Sequence, residues 1–468
     1  MKIDELRKKH QKLTYKNVDY KLSGSDLTIT THFVLSPDIH FYPTVTIHGI
    51  NQEQIDTLSS SEINNYAFHI GMAEIYSYWK AAAPQEIEIE AEDLSPDQLN
   101  FWQDLLLKGM GEYFYVNQID FTKTDFVKFT SSSQETSPSL SRSNPKEVQL
   151  NGVLVPLGGG KDSLVTLEVL KKEYKEPISL FALNPIEAVK ETVKLNPSLP
   201  FITATRVIDP KLIELNKAGY LNGHTPFSSY LAFLSLFVAR LFNLKYISIS
   251  NERSSNEESV IYKDHPVNHQ YSKSFELEEN FQKYVEKFLP KPSPFYFSLL
   301  RPLYELQIAK LFSKENAYFP IFKSCNKNQT KNSWCCNCSK CLFAYIILYP
   351  FLDEEKMTNI FGVNLLNNIS LWDTTKELLG YSHQKPLDCV GTHEESLVAM
   401  HLCHQKESKD IKELSKITKL FEKEILPNET NLEKRSKVIL ESWNDKNSLP
   451  TEFDRIIKYV HQRAFQTK

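Results

Sequence analysis

Four short apolar runs, each separated from the next by a stretch with helical character, restrict the middle of this chain to very few folds. They are Val153-Leu154-Val155-Pro156-Leu157, Ile178-Ser179-Leu180-Phe181-Ala182-Leu183, Phe201 to Ile208 and Tyr246-Ile247-Ser248-Ile249-Ser250. A continuously apolar strand is buried on both faces, and strands that alternate with helices run parallel, so this region predicts a parallel sheet covered on both sides. The first of its helices is expected over Ser163 to Lys172. The first fifty residues read differently. Leu27 to Leu35 and Thr44 to Ile47 are enriched in β-branched and aromatic residues and predict a small meander. Tyr66, Ile70, Ala73 and Tyr76 then recur at helical spacing in a helix from Ser61 that Pro84 stops, and another helix is expected from about Asp97 to Lys108.

The expected fold class is therefore α/β, divided into an N-terminal α+β domain (1–130), a serine-rich linker (131–147) and a parallel-sheet α/β domain (148–320). A cysteine-bearing element with a helical segment (321–395) and a helical C-terminal tail (396–468) follow. In the tail Ile411, Leu414, Ile417 and Leu420 keep helical spacing, and it reads as peripheral and without chemistry. With 468 residues, 41% of them hydrophobic and 24% charged, no disulfide or metal is needed merely to fold. A formal net charge of -4 gives no global field for nucleic acid, so no nucleic-acid partner is expected. The most apolar stretches, Tyr230 to Phe242 and Cys341 to Leu352, are shorter than the ~20 residues that cross a bilayer, so no membrane partner is expected either. The charged start, Met1 to His10, does not resemble an export signal, and the cysteines cluster as in a reduced compartment. A cytoplasmic location follows, while nothing in the sequence sets an oligomeric state.

The run Gly158-Gly159-Gly160 stands between an apolar strand and a helix, where the backbone can turn sharply and aim its amides at one point. The helix N-terminus adds positive potential there, which makes an anion site. The spacing is neither that of the Walker loop nor that of the dinucleotide fingerprint. With Lys161, Asp162 and Ser163 it resembles the S-G-G-x-D-S loop of the PP-loop ATP pyrophosphatases, Gly158 standing where serine is usual. The resemblance implies a PP-loop core in which Gly158, Gly159, Gly160, Lys161, Asp162 and Ser163 hold ATP. In it Asp162 helps to place magnesium, Ser163 bonds a phosphate, and pyrophosphate is released.

Cys335, Cys338 and Cys341 form C-x-x-C-x-x-C, and Cys325 lies upstream, so four thiolates can converge on one tetrahedral zinc. A closed four-thiolate site braces structure and leaves no position for water, so a structural role is expected. Cys336 stays open as a substitute for one neighbour. The segment lacks the paired histidines and basic recognition helix of nucleic-acid-binding fingers.

Polar segments next to predicted strands complete the candidate site. Ser250 to Glu257 follows a strand directly and so lies at the carboxyl edge of the sheet, where open α/β folds bind ligands. It offers Glu252 for proton transfer and Asn251 and Arg253 for substrate. Asn222-Gly223-His224 and Asn268 to Ser274 add His224, His269 and Lys273, and Arg301 has the fork to clamp a carboxylate or phosphate. Spacing alone does not choose a base among His224, His265, His269 and Glu252.

Several of these segments, taken in order, resemble one family. They are Tyr78 to Pro84, Gly109-Met110-Gly111-Glu112-Tyr113-Phe114, Pro156 to Ser163, Asn222-Gly223-His224, Ser250-Asn251-Glu252, Val267-Asn268-His269-Gln270, Ser324-Cys325-Asn326, Trp334 to Cys341 and Lys385-Pro386-Leu387-Asp388-Cys389-Val390-Gly391. The family is that of the bacterial UDP-N-acetylmuramoyl-L-alanyl-L-glutamate epimerases, MurL, which tends to carry glycine where this chain has Cys336. The resemblance implies inversion of the terminal L-glutamate of UDP-MurNAc-L-Ala-L-Glu, with ATP and magnesium, for peptidoglycan synthesis. Asp162, His224, Glu252 and His269 are the expected catalytic set. A zinc-bearing PP-loop ligase of the 7-cyano-7-deazaguanine synthase kind, which needs ammonia, shares the loop and the four cysteines. A nucleotide-binding regulatory protein without turnover is the third possibility.

Overall fold

The structure, a computed structural model, describes residues 2–131, 149–328, 331–410 and 413–465. The serine-rich linker, apart from Ser131, and Ile411 lie outside these. Thirteen strands are described: β1 (Lys12–Ser23), β2 (Asp26–Leu35), β3 (Ile39–Phe41), β4 (Thr44–His48), β5 (Glu86–Ile89), β6 (Lys128–Ser131), β7 (Val153–Pro156), β8 (Ile178–Leu183), β9 (Phe201–Val207), β10 (Tyr246–Ile249), β11 (Val260–Tyr262), β12 (His265–Val267) and β13 (Phe295–Ser298). Eleven of them form one mostly parallel sheet in the order β13-β10-β7-β8-β9-β4-β2-β1-β5-β6, with β3 paired to β2. The fold is mixed α/β.

The segment expected as a separate N-terminal domain shares this sheet with the central one. Thr44 to Ile47 of β4 pair antiparallel with Val207 to Ala204 of β9, so the two strand sets are continuous through backbone hydrogen bonds. Arg206 of β9 strengthens the join: its Nε donates to Glu74 at 2.7 Å, from the buried helix Ser60–Trp79. That helix starts on a capping box, with the Ser59 side chain accepting from the Glu62 amide and the Glu62 side chain answering the Ser59 amide. Beyond it, side chains alternate across β7, β8 and β10. Leu154, Phe181 and Ile247 pack into one core, and Val153, Val155, Leu180 and Tyr246 into the other.

The C-terminal part is helical, as expected, but it is not peripheral. Phe453 of the helix Thr451–Phe465 is fully buried, with its ring 5.0 Å from Tyr174, 4.9 Å from Tyr246 and 4.5 Å from Phe297. The tail thus covers a face of the sheet whose apolar side chains would otherwise meet water. Among the described residues no helix is long and apolar enough to cross a membrane.

One topological feature positions the site. The chain runs from β7 through β8 to β9 on one side, then returns to place β10 and β13 on the other side of β7. The order reverses at β7, and the crevice beyond the carboxyl ends of strands at such a reversal is where open α/β sheets bind ligands.

Candidate active site

The glycine loop leaves β7 at this reversal and leads into the helix Lys161–Glu173, with Gly160 as its N-cap. Gly159 has a φ of +83°, and a Cβ there would meet Ile186 and Ala188 at 3.0 and 3.1 Å, so the position requires glycine. A Cβ on Gly158 would meet nothing within 4 Å, which leaves that side of the loop open. Ser163 donates its hydroxyl to the Gly160 carbonyl at 3.1 Å, bracing the turn. The Lys323 amide donates to the Gly159 carbonyl at 2.9 Å, tying the loop to the segment that leads to Cys325. Lys161 is buried and bonds Asp162 and Glu305, the first residue of the helix Glu305–Phe312. Burial lowers its affinity for a proton, but the two carboxylates outweigh burial and hold the ammonium charged. Glu305 is pushed up to about 7, chiefly by burial and then by Asp162.

Beyond β10, Ser250 bonds Thr166 of the helix Lys161–Glu173 at 2.8 Å, and Glu252 is buried. Burial first, then the nearby Asp162, raises its pKa above the ordinary carboxylate value. Lys273 lies near both carboxylates, and its Nζ is 3.1 Å from Cys389 Sγ. The same sulfur is met by His269, with Nε2 3.8 Å away and Nδ1 hydrogen-bonded to Glu112. Glu112 is also 3.4 Å from Nδ1 of His224, whose ring centroid is 4.6 Å from that of His269. Glu112, His224 and His269 offer three ligand atoms within 4.8 Å of one another, and a hydrogen bond joins His269 to Glu112. Burial tends to lower His269, but Cys389 and Glu112 prevail and hold it at about 9. Burial and the neighbouring His269 take His224 down to about 4, so it is neutral at pH 7.

The four cysteines also converge. The Sγ atoms of Cys325, Cys335, Cys338 and Cys341 lie within 4.8 Å of one another, a spacing that suits one tetrahedral metal. Cys336 is turned away, its Sγ 3.3 Å from the Phe361 carbonyl, so it belongs to no such set. Its φ of +52° is a conformation in which glycine is at ease. The helix Ser339–Leu348 that starts beside Cys338 supplies Ser339 to the Asp388 carboxylate and Lys340 to the Cys389 carbonyl. The cysteine element therefore holds the loop that carries Cys389.

Residues 5–299 match the MurL N-terminal domain, and residues 321–437 match the MurL C-terminal domain. The chain belongs to the MurL family. Among similar proteins are those named UDP-N-acetyl-alpha-D-muramoyl-L-alanyl-L-glutamate epimerase from Salinispora tropica and from Xanthomonas oryzae pv. oryzae. The first is 36% identical over 70% of this chain and 70% of its own length. The second is 32% identical over 76% of this chain and 78% of its own. No solved structure gives a significant match.

Against the MurL pattern expected from sequence, the structure brings Asp162, Glu252, Lys273, His224 and His269 into one neighbourhood. The other three substrate candidates are engaged by protein groups or turned elsewhere. Arg301 is fully buried and bonds Glu278, the carbonyls of Glu252 and Lys273, and Ser255, so its fork is already filled by protein groups. Arg301, expected as a ligand clamp, here ties together the two loops that carry Glu252 and Lys273. The Arg253 guanidinium lies 4.3 Å from the centroid of the Tyr304 ring. Asn251 gives its carbonyl to Ser298 and borders a cavity of about 10 Å³, room for a single water. His265 is exposed and lines a separate cavity of about 660 Å³. Sequence reading passed over Glu112, Glu305, Lys340 and Cys389 as site residues. Glu112 and Cys389 lay inside segments that carried the family resemblance, and that was the available signal.

Proposed function

We propose that this chain inverts the terminal L-glutamate of UDP-MurNAc-L-Ala-L-Glu to D-glutamate in peptidoglycan synthesis, with ATP and magnesium, through an acyl-adenylate that releases pyrophosphate and then AMP. The observation that carries the reading is that the glycine loop before the helix Lys161–Glu173 and the group formed by Lys273, Cys389 and His269 meet, through Lys273 beside Asp162 and Glu252, in a family whose relatives are named for this epimerisation. Chemistry requires both parts. The α-hydrogen beside a free carboxylate is very weakly acidic, because its removal would leave a dianion. Linking the carboxylate to AMP neutralises it and makes the α-carbon more acidic, so that deprotonation, reprotonation from the other face and hydrolysis give the epimer.

In this reading the β7 loop is a PP-loop. The backbone from Gly158 to Gly160 and the helix N-terminus hold the phosphates, and Lys161 supplies a fixed positive charge beside them. Asp162 and Glu252 are a like-charged pair that a divalent cation would relieve, and magnesium, when bound, neutralises charge on the phosphate oxygens. Zinc on Cys325, Cys335, Cys338 and Cys341 braces the segment that fastens the Cys389 loop. A nucleotide-linked substrate and ATP make the cytoplasm the working location.

The test is the reaction in heavy water with the purified, zinc-loaded chain. Conversion to the D-glutamate epimer should need ATP and magnesium, yield AMP and pyrophosphate, and place deuterium on the glutamate α-carbon. Epimerisation without ATP, or inversion that keeps the original hydrogen over many turnovers, would refute the mechanism. An absolute need for ammonia, with no deuterium in the product, would instead select the ligase chemistry.

A further inference from the structure

We infer that Cys389 is a catalytic residue that exchanges a proton with the glutamate α-carbon on one of its faces, its sulfur held between Lys273 and His269. The inference rests on the epimerase reading above and names a group for the step that reading leaves unassigned.

Geometry separates this cysteine from the others that lie outside the four-thiolate cluster. Cys403 is fully buried, its thiol donates to the Ile346 carbonyl at 3.3 Å, and burial pushes it up, the pattern of an inert core thiol. Cys336 faces the Phe361 carbonyl. Cys389 instead has Lys273 Nζ at 3.1 Å and His269 Nε2 at 3.8 Å, while Lys340 grips its own carbonyl. Burial pushes its thiol up, but Lys273, Lys340 and His269 together hold it well below the ordinary thiol range. Glu112 takes the Nδ1 side of His269, which turns Nε2 toward the sulfur. The groups around this pair are therefore Lys273, Lys340, His269, Glu112 and His224, with Asp162 and Glu252 behind Lys273.

The neighbours are less suited to the task. His224 faces His269 and Glu112, and burial together with His269 disfavours the protonated form it would take on as a base, while His269 already carries its proton, paired with the sulfur and Glu112. Glu252 stands beside Asp162 and the phosphate loop. Lys273 links the sulfur to the phosphate loop, since it touches Cys389 and faces both Glu252 and Asp162.

The step balances as follows. The Cα–H bond of the activated glutamate breaks, its electron pair enters the enolate, and the proton forms S–H on Cys389. Lys273 and protonated His269, now facing a neutral thiol, are left to stabilise the negative charge that has moved to the substrate. A second proton, from an acid in exchange with solvent, reaches the opposite face of the α-carbon and closes the inversion. In the reverse direction Cys389 delivers the proton.

Two measurements test the inference. Alkylation of Cys389 by iodoacetamide in the zinc-loaded wild-type enzyme, followed by peptide mapping across pH, should show a midpoint below pH 7, and a midpoint at the ordinary thiol value of about 8.5 would overturn it. Cys389→Ser and Cys389→Ala should lower ATP-dependent deuterium entry at the glutamate α-carbon about 100-fold or more. That loss should exceed any loss of substrate-dependent exchange of labelled pyrophosphate into ATP by at least tenfold, a split that a merely structural cysteine would not produce. Equal losses in the two assays, or full deuterium entry in either variant, would sink the idea. Absence of pyrophosphate exchange in the wild type would defeat adenylation alone, and the alkylation profile and deuterium entry would still decide the role of Cys389.

Discussion

Removing the Arg301 guanidinium should unfold the protein more readily, whether or not substrate is present. The side chain is fully buried and donates to the Glu278 carboxylate from Nε at 3.1 Å and Nη2 at 2.8 Å. It also donates to the Glu252 carbonyl at 2.8 Å, Ser255 Oγ at 2.8 Å and the Lys273 carbonyl at 2.7 Å. Arg301→Met keeps most of the volume but leaves a buried carboxylate and two buried carbonyls without this partner. Breaking one side of a buried ion pair costs about 3–5 kcal/mol, or roughly two to three and a half decades in the folding equilibrium. Glu278→Leu with Arg301→Met removes both charges, so the double variant should lose less than the sum of the singles by about 1–3 kcal/mol. Arg301→Lys keeps the charge without the fork and should fall between wild type and Arg301→Met. Urea denaturation without ligand, read as a shift of midpoint at constant slope, measures each value. A loss below about 1 kcal/mol for Arg301→Met, or strict additivity in the cycle, would refute the positioning role. A rise in KM without any loss of stability would return Arg301 to the substrate clamp.

Asp162→Asn should lower ATP-to-AMP conversion about 100-fold or more while the melting temperature stays within a few degrees, because Lys161 keeps Glu305 as a partner; turnover at the wild-type rate would refute the loop assignment. Elemental analysis should find one zinc per chain, and Cys338→Ser should destabilise the protein by several kcal/mol, whereas Cys336→Gly, at a φ of +52°, should cost under about 1 kcal/mol. Phe453→Ala should cost about 3–5 kcal/mol in denaturation, since the ring packs on Tyr174, Tyr246 and Phe297, and a change under about 1 kcal/mol would make the tail peripheral after all.

Local order along the chain was enough for the strands β2, β4, β7, β8, β9 and β10, for the two N-terminal helices, though the first is capped by Ser59 and so starts ahead of Ser61, and for the glycine turn at the end of β7. It also brought the four cysteines into view, because their spacing is itself the geometry of a tetrahedral site. Periodicity, capping and turn chemistry act over a few residues, so they can be read from neighbours in sequence. Other features arise only on folding. The pairing of β4 with β9, which makes one sheet of two expected domains, joins strands more than 150 positions apart and leaves no mark on either. Arg301 has the same formula as a surface arginine, and only its enclosure by Glu278, Glu252 and Lys273 makes it a scaffold. Cys389 lies 116 positions from Lys273 and 120 from His269. Its chemistry depends on the distances between those charges, and such distances exist only once the sheet and the cysteine element have brought them together.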